Sequence, residues 1–493
     1  MAISWTAKRT QEVHSIGWLW PFLAGIPLGL LFLLSAQFET KWFLLLFISS
    51  LGLVVLLTLP NKKSYYLALL VMTIPIAVDL NVYFHPSAFY RSTYGFLIHL
   101  SHIPLAMLYF LWLSRCLVQR LPLKISTSAL LPLTGVLLSG LISMFFARAP
   151  LFAAFDLFTL SMSLLLFIYA ASEIRTSQEI RLAVWALMAS MTLQGAIALG
   201  QYLTGSTLGL EFFGASRKFT EAPGAEALTR VGGTLGHPNN LALFFDLLLP
   251  LAVSLLFCSL SKHSKLFLSI AIGLGAAGLA VALSRGGIAV VGLATAIILL
   301  VRWRERLGLF RSGLALATAG IFFALMLLGT ANPLQKRFLR DDYGSAYGRV
   351  PHVQVARNII RSHPLFGVGL NHYTEAAHQY DNTPEWIISS WESPVHNLFL
   401  FIAGEIGLVG LGCFLFFLVS VGRATLPALR SADPFVANAG LGLLLGLLAY
   451  LAHSQVDYAH WTSFGPFWLL LGLSVSLGRL ASSVPPASPT RSL

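Results

Sequence analysis

Apolar runs of about 20 residues, separated by short charged connections, recur along nearly the whole chain. A membrane-crossing helix needs about 20 mostly apolar residues. On that rule fourteen candidate spans are read: 17–36, 42–59, 66–84, 96–113, 129–146, 151–172, 182–203, 238–260, 266–283, 286–302, 313–330, 396–421, 435–454 and 461–478. Those near 66–113 and 266–302 are short, and reading one pair as re-entrant lowers the number to twelve. Either even number puts both termini on one side. The pattern predicts an all-α polytopic membrane protein with 12–14 transmembrane helices. No small-residue cleavage site follows the first apolar segment, so it is read as a span and not as a removable signal. The transmembrane body is expected over 1–480, and the Pro/Ser-rich tail 481–493 is expected to be disordered.

Composition agrees with this pattern. Of 493 residues, 56% are hydrophobic and 11% are charged, against roughly 25% charged in a soluble domain. So little charge cannot cover a soluble surface. A soluble enzyme, a disordered chain and a secreted disulfide scaffold are excluded. Cys116, Cys258 and Cys413 lie in or beside apolar segments and support no disulfide framework.

The net charge of +12 raises the question of nucleic acid, but in a membrane chain the first question is sidedness. With a cytoplasmic N-terminus, 19 of the 32 Lys and Arg residues fall on the inner face, all in short connections or tails. Nine of the others lie in two long loops, where the positive-inside rule is weak. Both termini are therefore expected in the cytoplasm, and no nucleic acid partner is expected.

The two long loops, 204–237 and 331–395, are then periplasmic. Loops of that length are usually functional. The second is segregated by charge. Lys336, Arg337, Arg340, Arg349, Arg357 and Arg361 face only Asp341 and Asp342 in its first half, and its second half holds Glu375, Asp381, Glu385 and Glu392. Within it, 351–364 reads as an amphipathic helix. Pro351 suits its first turn, Val353, Ala356 and Ile360 form its apolar face, and Pro364 stops it.

Three outer features carry candidate chemistry. In RVGGTLGHPNN (230–240), His237-Pro238 sets a helix start whose free N–H groups favour an anion, and its glycines admit a close ligand. A plain glycine-rich lead into a membrane helix explains the same residues. In SRGG (284–287), Arg285 lies at the membrane boundary between two apolar segments with almost no connector, suited to an anion partner or to simple snorkelling. In SSWESPVHN (389–397), Ser393 and Pro394 are expected to start a helix with His396 in its first turn. The helix dipole and burial then keep the imidazole neutral, as a general base requires. An interfacial packing histidine is the bland alternative.

Elsewhere, His99, His102 and His453 read as packing or hydrogen-bonding residues within spans. Asp79, Asp156, Asp246 and Glu405 lie at membrane depth, suited to interhelical hydrogen bonds or to a proton path. No H-x-x-x-H or C-x-x-C pair occurs, and His363, His372 and His378 are too loosely spaced for a metal site. No metal or cofactor is expected. The outer basic residues suit a lipid-borne phosphate or diphosphate held at the membrane surface.

The motifs GGTLGHPNNLA (232–242), SRGG (284–287), YGRVPHVQVARNIIRSHPLFGVGLNHY (347–373) and HNLFLFIAGEIGLVGLG (396–412) together resemble the O-antigen ligase and O-antigen polymerase superfamily. The resemblance covers about 230–412 and matches the family's order of features. It implies a GT-C-like, metal-independent glycosyltransferase of the bacterial inner membrane that takes a glycan from undecaprenyl diphosphate in the periplasmic leaflet. A ligase passes it to a sugar of the lipid A-core, and a polymerase passes it to another lipid-linked repeat. A protein O-oligosaccharyltransferase uses a third kind of acceptor, and a flippase for the same lipid is the reading from another class. The ligase is preferred, because a single large loop precedes the helix that begins at His396-Asn397. By the resemblance, Arg285 and His396 match the family's essential arginine and histidine. Arg230 matches the basic residue before the G-T-x-x-x-P-N motif, and Arg349 the arginine before the loop helix. Arg217 and Lys218 match by location. His237, Asn239 and Asn397 complete the candidate site.

Overall fold

A backbone without water must satisfy its own N–H and C=O groups, and within one segment only a helix does so. The computed structural model follows that rule across residues 61–126, 129–220, 228–303, 349–457 and 460–483, which together with scattered positions between 47 and 60 are the residues it describes. The predicted spans 17–36 and 313–330, most of 42–59, the loop stretch 331–348 and nearly all of the tail lie outside the described residues. The chain divides into two compact units, 1–66 and 67–493, and the second carries all the site elements.

Most apolar segments fold as expected. Helices α1 (Lys62–Thr73), α2 (His102–Val118), α3 (Leu130–Ser143), α4 (Pro150–Glu173), α5 (Ser177–Thr204), α6 (Pro238–Leu255), α7 (Lys262–Val281) and α8 (Arg285–Trp303) come first. The loop helices α9 (Arg349–Ser362), α10 (Tyr373–Tyr380) and α11 (Ile387–Ser390) follow, and then α12 (Leu398–Leu429), α13 (Pro434–His453) and α14 (Gly465–Ser483). Among the described residues seven helices, α4 to α8, α12 and α13, are long and apolar enough to cross a membrane. The protein is a mostly helical, polytopic membrane protein.

Two predicted spans are corrected. The segments 66–84 and 96–113 are not continuous helices. Helix α1 stops at Thr73, before Pro75, whose missing N–H cannot continue a helix. The chain then forms strand β1 (Asp79–Val82), paired antiparallel with β2 (Phe96–His99), Asp79 opposite His99. Asp79 is thus exposed on a strand and not inside a helix. By contrast, 266–302 folds as two full helices. Helices α7 and α8 are each long enough to cross, and only 282–284 join them.

At the centre, α6 packs against α13, and α8 packs on both. Gly446 and Gly442 of α13 make the α6 contact close. A Cβ on Gly446 would meet the Leu247 carbonyl oxygen at 2.3 Å, and one on Gly442 would meet Leu251 Cα at 2.6 Å. Ser254 Oγ donates to the Asn438 carbonyl across the same seam at 2.7 Å.

Helix α12 is broken at Gly407, which has φ 71°. The segment after α9 fills the break. Val368 N–H donates to Gly404 O at 2.9 Å and Gly369 N–H to Glu405 O at 3.0 Å. In return Leu408 N–H donates to Pro364 O at 2.8 Å and Val409 N–H to Leu365 O at 3.3 Å. The Glu405 carboxylate accepts from Asn371 N–H at 2.8 Å. The Asp156 carboxylate accepts from Thr462 Oγ1 at 2.8 Å.

The loop helix forms where expected, two residues early, but its apolar face is rotated. His352, Val355, Ala356 and Ile359 are its buried residues, whereas Val353 and Ile360 are only partly covered. Arg357 and Arg361 are exposed. In the loop before α6, strands β3 (Arg217–Thr220) and β4 (Leu228–Val231) form a hairpin with Lys218 opposite Arg230.

Candidate active site

Several element ends converge on one cavity of about 40 Å³. Its wall includes Arg230 from β4, Asn239 from the first turn of α6, Ser284 and Arg285 from the start of α8, Arg349 from the start of α9, and Asp457 beyond α13. Arginines 55 or more positions apart in sequence thus share one small polar space.

Local folding explains each placement. His237 caps α6, its Nδ1 accepting from Asn239 N–H at 3.1 Å, with Pro238 opening the helix as the sequence suggested. Arg230 ties this start to the α7–α8 turn. Its Nε donates to Ala282 O at 3.0 Å and its Nη2 to Asn239 Oδ1 at 2.7 Å. That turn is made tight by Leu283, at φ 54°, and it holds Arg285 at the first position of α8. Arg349 Nε is buried with no hydrogen-bond partner among the described residues. Three guanidinium groups border one space beside the Asp457 carboxylate, and a guanidinium offers several donors in a fixed fork, a chemistry suited to an anion.

His396 is not a lining residue of this cavity, but its environment is coupled to it. Burial pushes the imidazole down to about 4; Asp457 opposes that, and Arg349 and His352 add to it. The ring is half-buried with Nδ1 inside, and it packs 5.3 Å from the Trp391 ring and 6.2 Å from the His352 ring. The helix start differs from expectation. Asn397, not Ser393, is the cap, its Oδ1 accepting from Leu400 N–H at 3.0 Å. Ser393 Oγ donates to Pro394 O instead. His396 therefore precedes the helix, and burial is the chief reason it stays neutral. Asn397 Nδ2 also donates to Gln455 O at 3.2 Å, and Leu398 N–H to Ser454 O at 2.8 Å. These bonds fix His396 beside the exit of α13.

Residues 270–415 match the O-Antigen ligase family. The match supports the O-antigen ligase superfamily, and with it ligase- or polymerase-type glycan transfer in general. No curated protein matches the chain. The matched stretch holds Arg285, Arg349 and His396, while Arg230 and Asn239 lie before it and reach the cavity only through the fold, and His237 caps α6 without lining the cavity. Backbone register puts Lys218 opposite Arg230, and Arg217 opposite Val231. Among the described residues no three His, Cys, Asp or Glu side chains gather as metal ligands; Asp341 and Asp342 lie outside them.

Four neighbours were not singled out as site residues in the sequence. Asp246 and His453 read as isolated polar residues within spans, and Asp457 and Ser284 drew no attention of their own. His453 Nδ1 is 2.5 Å from Asp246 Oδ2, across 207 positions of sequence. The only linear hint was two ionisable residues of complementary chemistry at membrane depth.

Proposed function

We propose that the chain is a glycosyltransferase that moves a glycan, O-antigen, from undecaprenyl diphosphate to the lipid A-core of lipopolysaccharide. The observation that carries this reading is the cavity shared by Arg230, Arg285 and Arg349. Its three arginines suit part of a diphosphate, with the rest of the head group, the lipid and the glycan extending outside it. An acceptor hydroxyl oxygen attacks the anomeric carbon as that carbon's bond to the diphosphate oxygen breaks. His396 takes the hydroxyl proton, undecaprenyl diphosphate leaves, and the carbon is inverted. The arginines stabilise the charge that grows on the leaving group, so the reaction runs without a metal. Lys218, and by location Arg217, are assigned to the diphosphate from their places on β3, whose backbone pairs with that of β4, and His237, Asn239 and Asn397 hold the framework.

In this reading the chain is an inner-membrane protein with cytoplasmic termini, and the loop 331–395 faces the periplasm. Transfer to lipid A-core is preferred to polymerisation because a single large loop precedes the helix that begins beside His396-Asn397.

The test incubates purified protein with lipid-linked glycan and either lipid A-core or a second lipid-linked repeat. Product on lipid A-core supports the ligase. Longer lipid-linked chains make it a polymerase, and no new bond with either acceptor leaves a flippase as the better reading. His396→Ala and His396→Gln should lose about 10²–10⁴-fold in turnover while still binding undecaprenyl diphosphate. If donor binding disappears along with turnover, His396 is a binding residue, and His237 becomes the next candidate base.

A further inference from the structure

The SRGG turn holds more than an arginine. Ser284 Oγ lies 3.1 Å from His453 Nε2 and accepts from Gly287 N–H at 3.3 Å. His453 in turn meets Asp246 at 2.5 Å. All three side chains are buried, Asp246 completely. The two glycines of the motif make room for this chain. A Cβ on Gly286 would fall 2.6 Å from His453 Cδ2, and one on Gly287 would fall 3.1 Å from Asp246 Oδ1. Ser284 and His453 also line the three-arginine cavity.

Burying an acid and a histidine between α6 and α13 is costly unless each is satisfied. A helix cap alone does not need them, because a serine caps through its own oxygen. The chain Asp246–His453–Ser284 does something a cap does not, which is to decide where the hydroxyl proton points. A hydroxyl has one proton and two lone pairs. The bond between Ser284 Oγ and His453 Nε2 can run either way: a neutral imidazole would take the Ser284 proton at Nε2, whereas an imidazolium ion-paired with Asp246 through Nδ1–H donates Nε2–H to Ser284 Oγ. In that second state, with Gly287 N–H on the other lone pair, the Ser284 O–H is left for the cavity.

Resting on the diphosphate reading above, we propose that Ser284 donates a hydrogen bond to the donor's diphosphate, with His453 and Asp246 as the positioning residues that aim it. The contact strengthens as the carbon–oxygen bond breaks and negative charge collects on the leaving group, so it acts on turnover more than on donor affinity.

The experiment measures kcat and donor KM for the full-length protein with Ser284→Ala, Ser284→Thr, His453→Gln and the Ser284→Ala/His453→Gln pair, with Arg285→Ala as reference. Binding of undecaprenyl diphosphate and thermal midpoints are read alongside. Ser284→Ala should lower kcat about tenfold to a hundredfold, the range of a hydrogen bond to a charged group. Donor KM should change less than about threefold, and Ser284→Thr should restore most of the loss, since it returns the hydroxyl. The double variant should be no slower than the slower single one, because both remove one contact. Wild-type kcat in a folded Ser284→Ala protein, an unrescued Ser284→Thr, or losses that multiply in the double variant each overturn the proposal. Should His453→Gln not fold, the Ala and Thr variants of Ser284 decide alone. If Arg285→Ala keeps full activity and donor binding, the diphosphate reading itself falls. If Arg285→Ala is inactive while Ser284→Ala is unaffected, only this inference falls.

Discussion

Replacing Arg230 by lysine keeps the charge and removes the fork. The arginine spans two acceptors on separate elements, Ala282 O at 3.0 Å and Asn239 Oδ1 at 2.7 Å. A lysine ammonium is a single point on a flexible stem and serves one of them. A hydrogen bond from a charged donor is worth about 1.5–3 kcal/mol, and partial exposure of Arg230 reduces that to about 1–2 kcal/mol. Arg230→Lys should therefore lower kcat/KM for the lipid-linked donor by roughly 5- to 30-fold, at 1.4 kcal/mol per factor of ten. A double-mutant cycle with Asn239→Ala isolates the bond itself. The pair should show a coupling of about 1–2 kcal/mol, because each single change removes the same contact. Losses that multiply, or an Arg230→Lys protein as active as wild type, would refute the claim that Arg230 works by clasping the α6 start to the α7–α8 turn.

Three other outcomes are expected. With His396 held down to about 4 by burial, kcat/KM should stay level from pH 8 to about 5, and Asp457→Asn should move the acid limb lower; a limb near 6.5 in the wild type contradicts the burial argument. Burial lowers His372, His396 and His460, so at these sites the unfolded chain binds more protons between pH 6.5 and about 4 and their contribution to stability falls on acidification; the thermal midpoint of His460→Gln relative to the wild type should therefore rise as pH falls, and a difference independent of pH contradicts the burial argument. Gly446→Leu should push α13 off α6 and lower the thermal midpoint by several degrees or abolish folding, as overpacking costs typically 1–3 kcal/mol or more; a wild-type midpoint would show that the seam is looser than the 2.3 Å approach implies.

The spans were legible because lipid imposes one rule on every apolar run, and from Pro150 to Trp303 the predicted and observed limits agree within a few residues. The rule failed near 66–113. There Pro75, Asp79 and Asn81 break an apolar stretch into a helix and a strand, and hydropathy averages over them. The arginines of the cavity were legible as motif residues, Arg285 and Arg349 at helix starts and Arg230 just before the glycine-rich lead into α6. The Asp246–His453 pair was not, because its partners sit on different spans and neither local pattern refers to the other. The cap before α12 was misplaced since Ser393-Pro394 and Asn397 both make plausible starts. The fold chooses Asn397, which alone also reaches the α13 exit.

The break in α12 has a mechanical meaning. Four backbone bonds between 364–369 and the Gly407 region sew the loop into a helix of the bundle. Pulling α9 away as a hinged lid would break all four bonds and strand the buried groups of Val368, Gly369, Gly404 and Glu405, at a cost of several kcal/mol for each unsatisfied group. The base of α9 is therefore a fixed wall rather than a door, and Arg349, at its opposite end, stands on an anchored helix. If the proposed lipid-linked donor is the substrate, its head group has to pass beside that wall and not beneath a lid that opens at it.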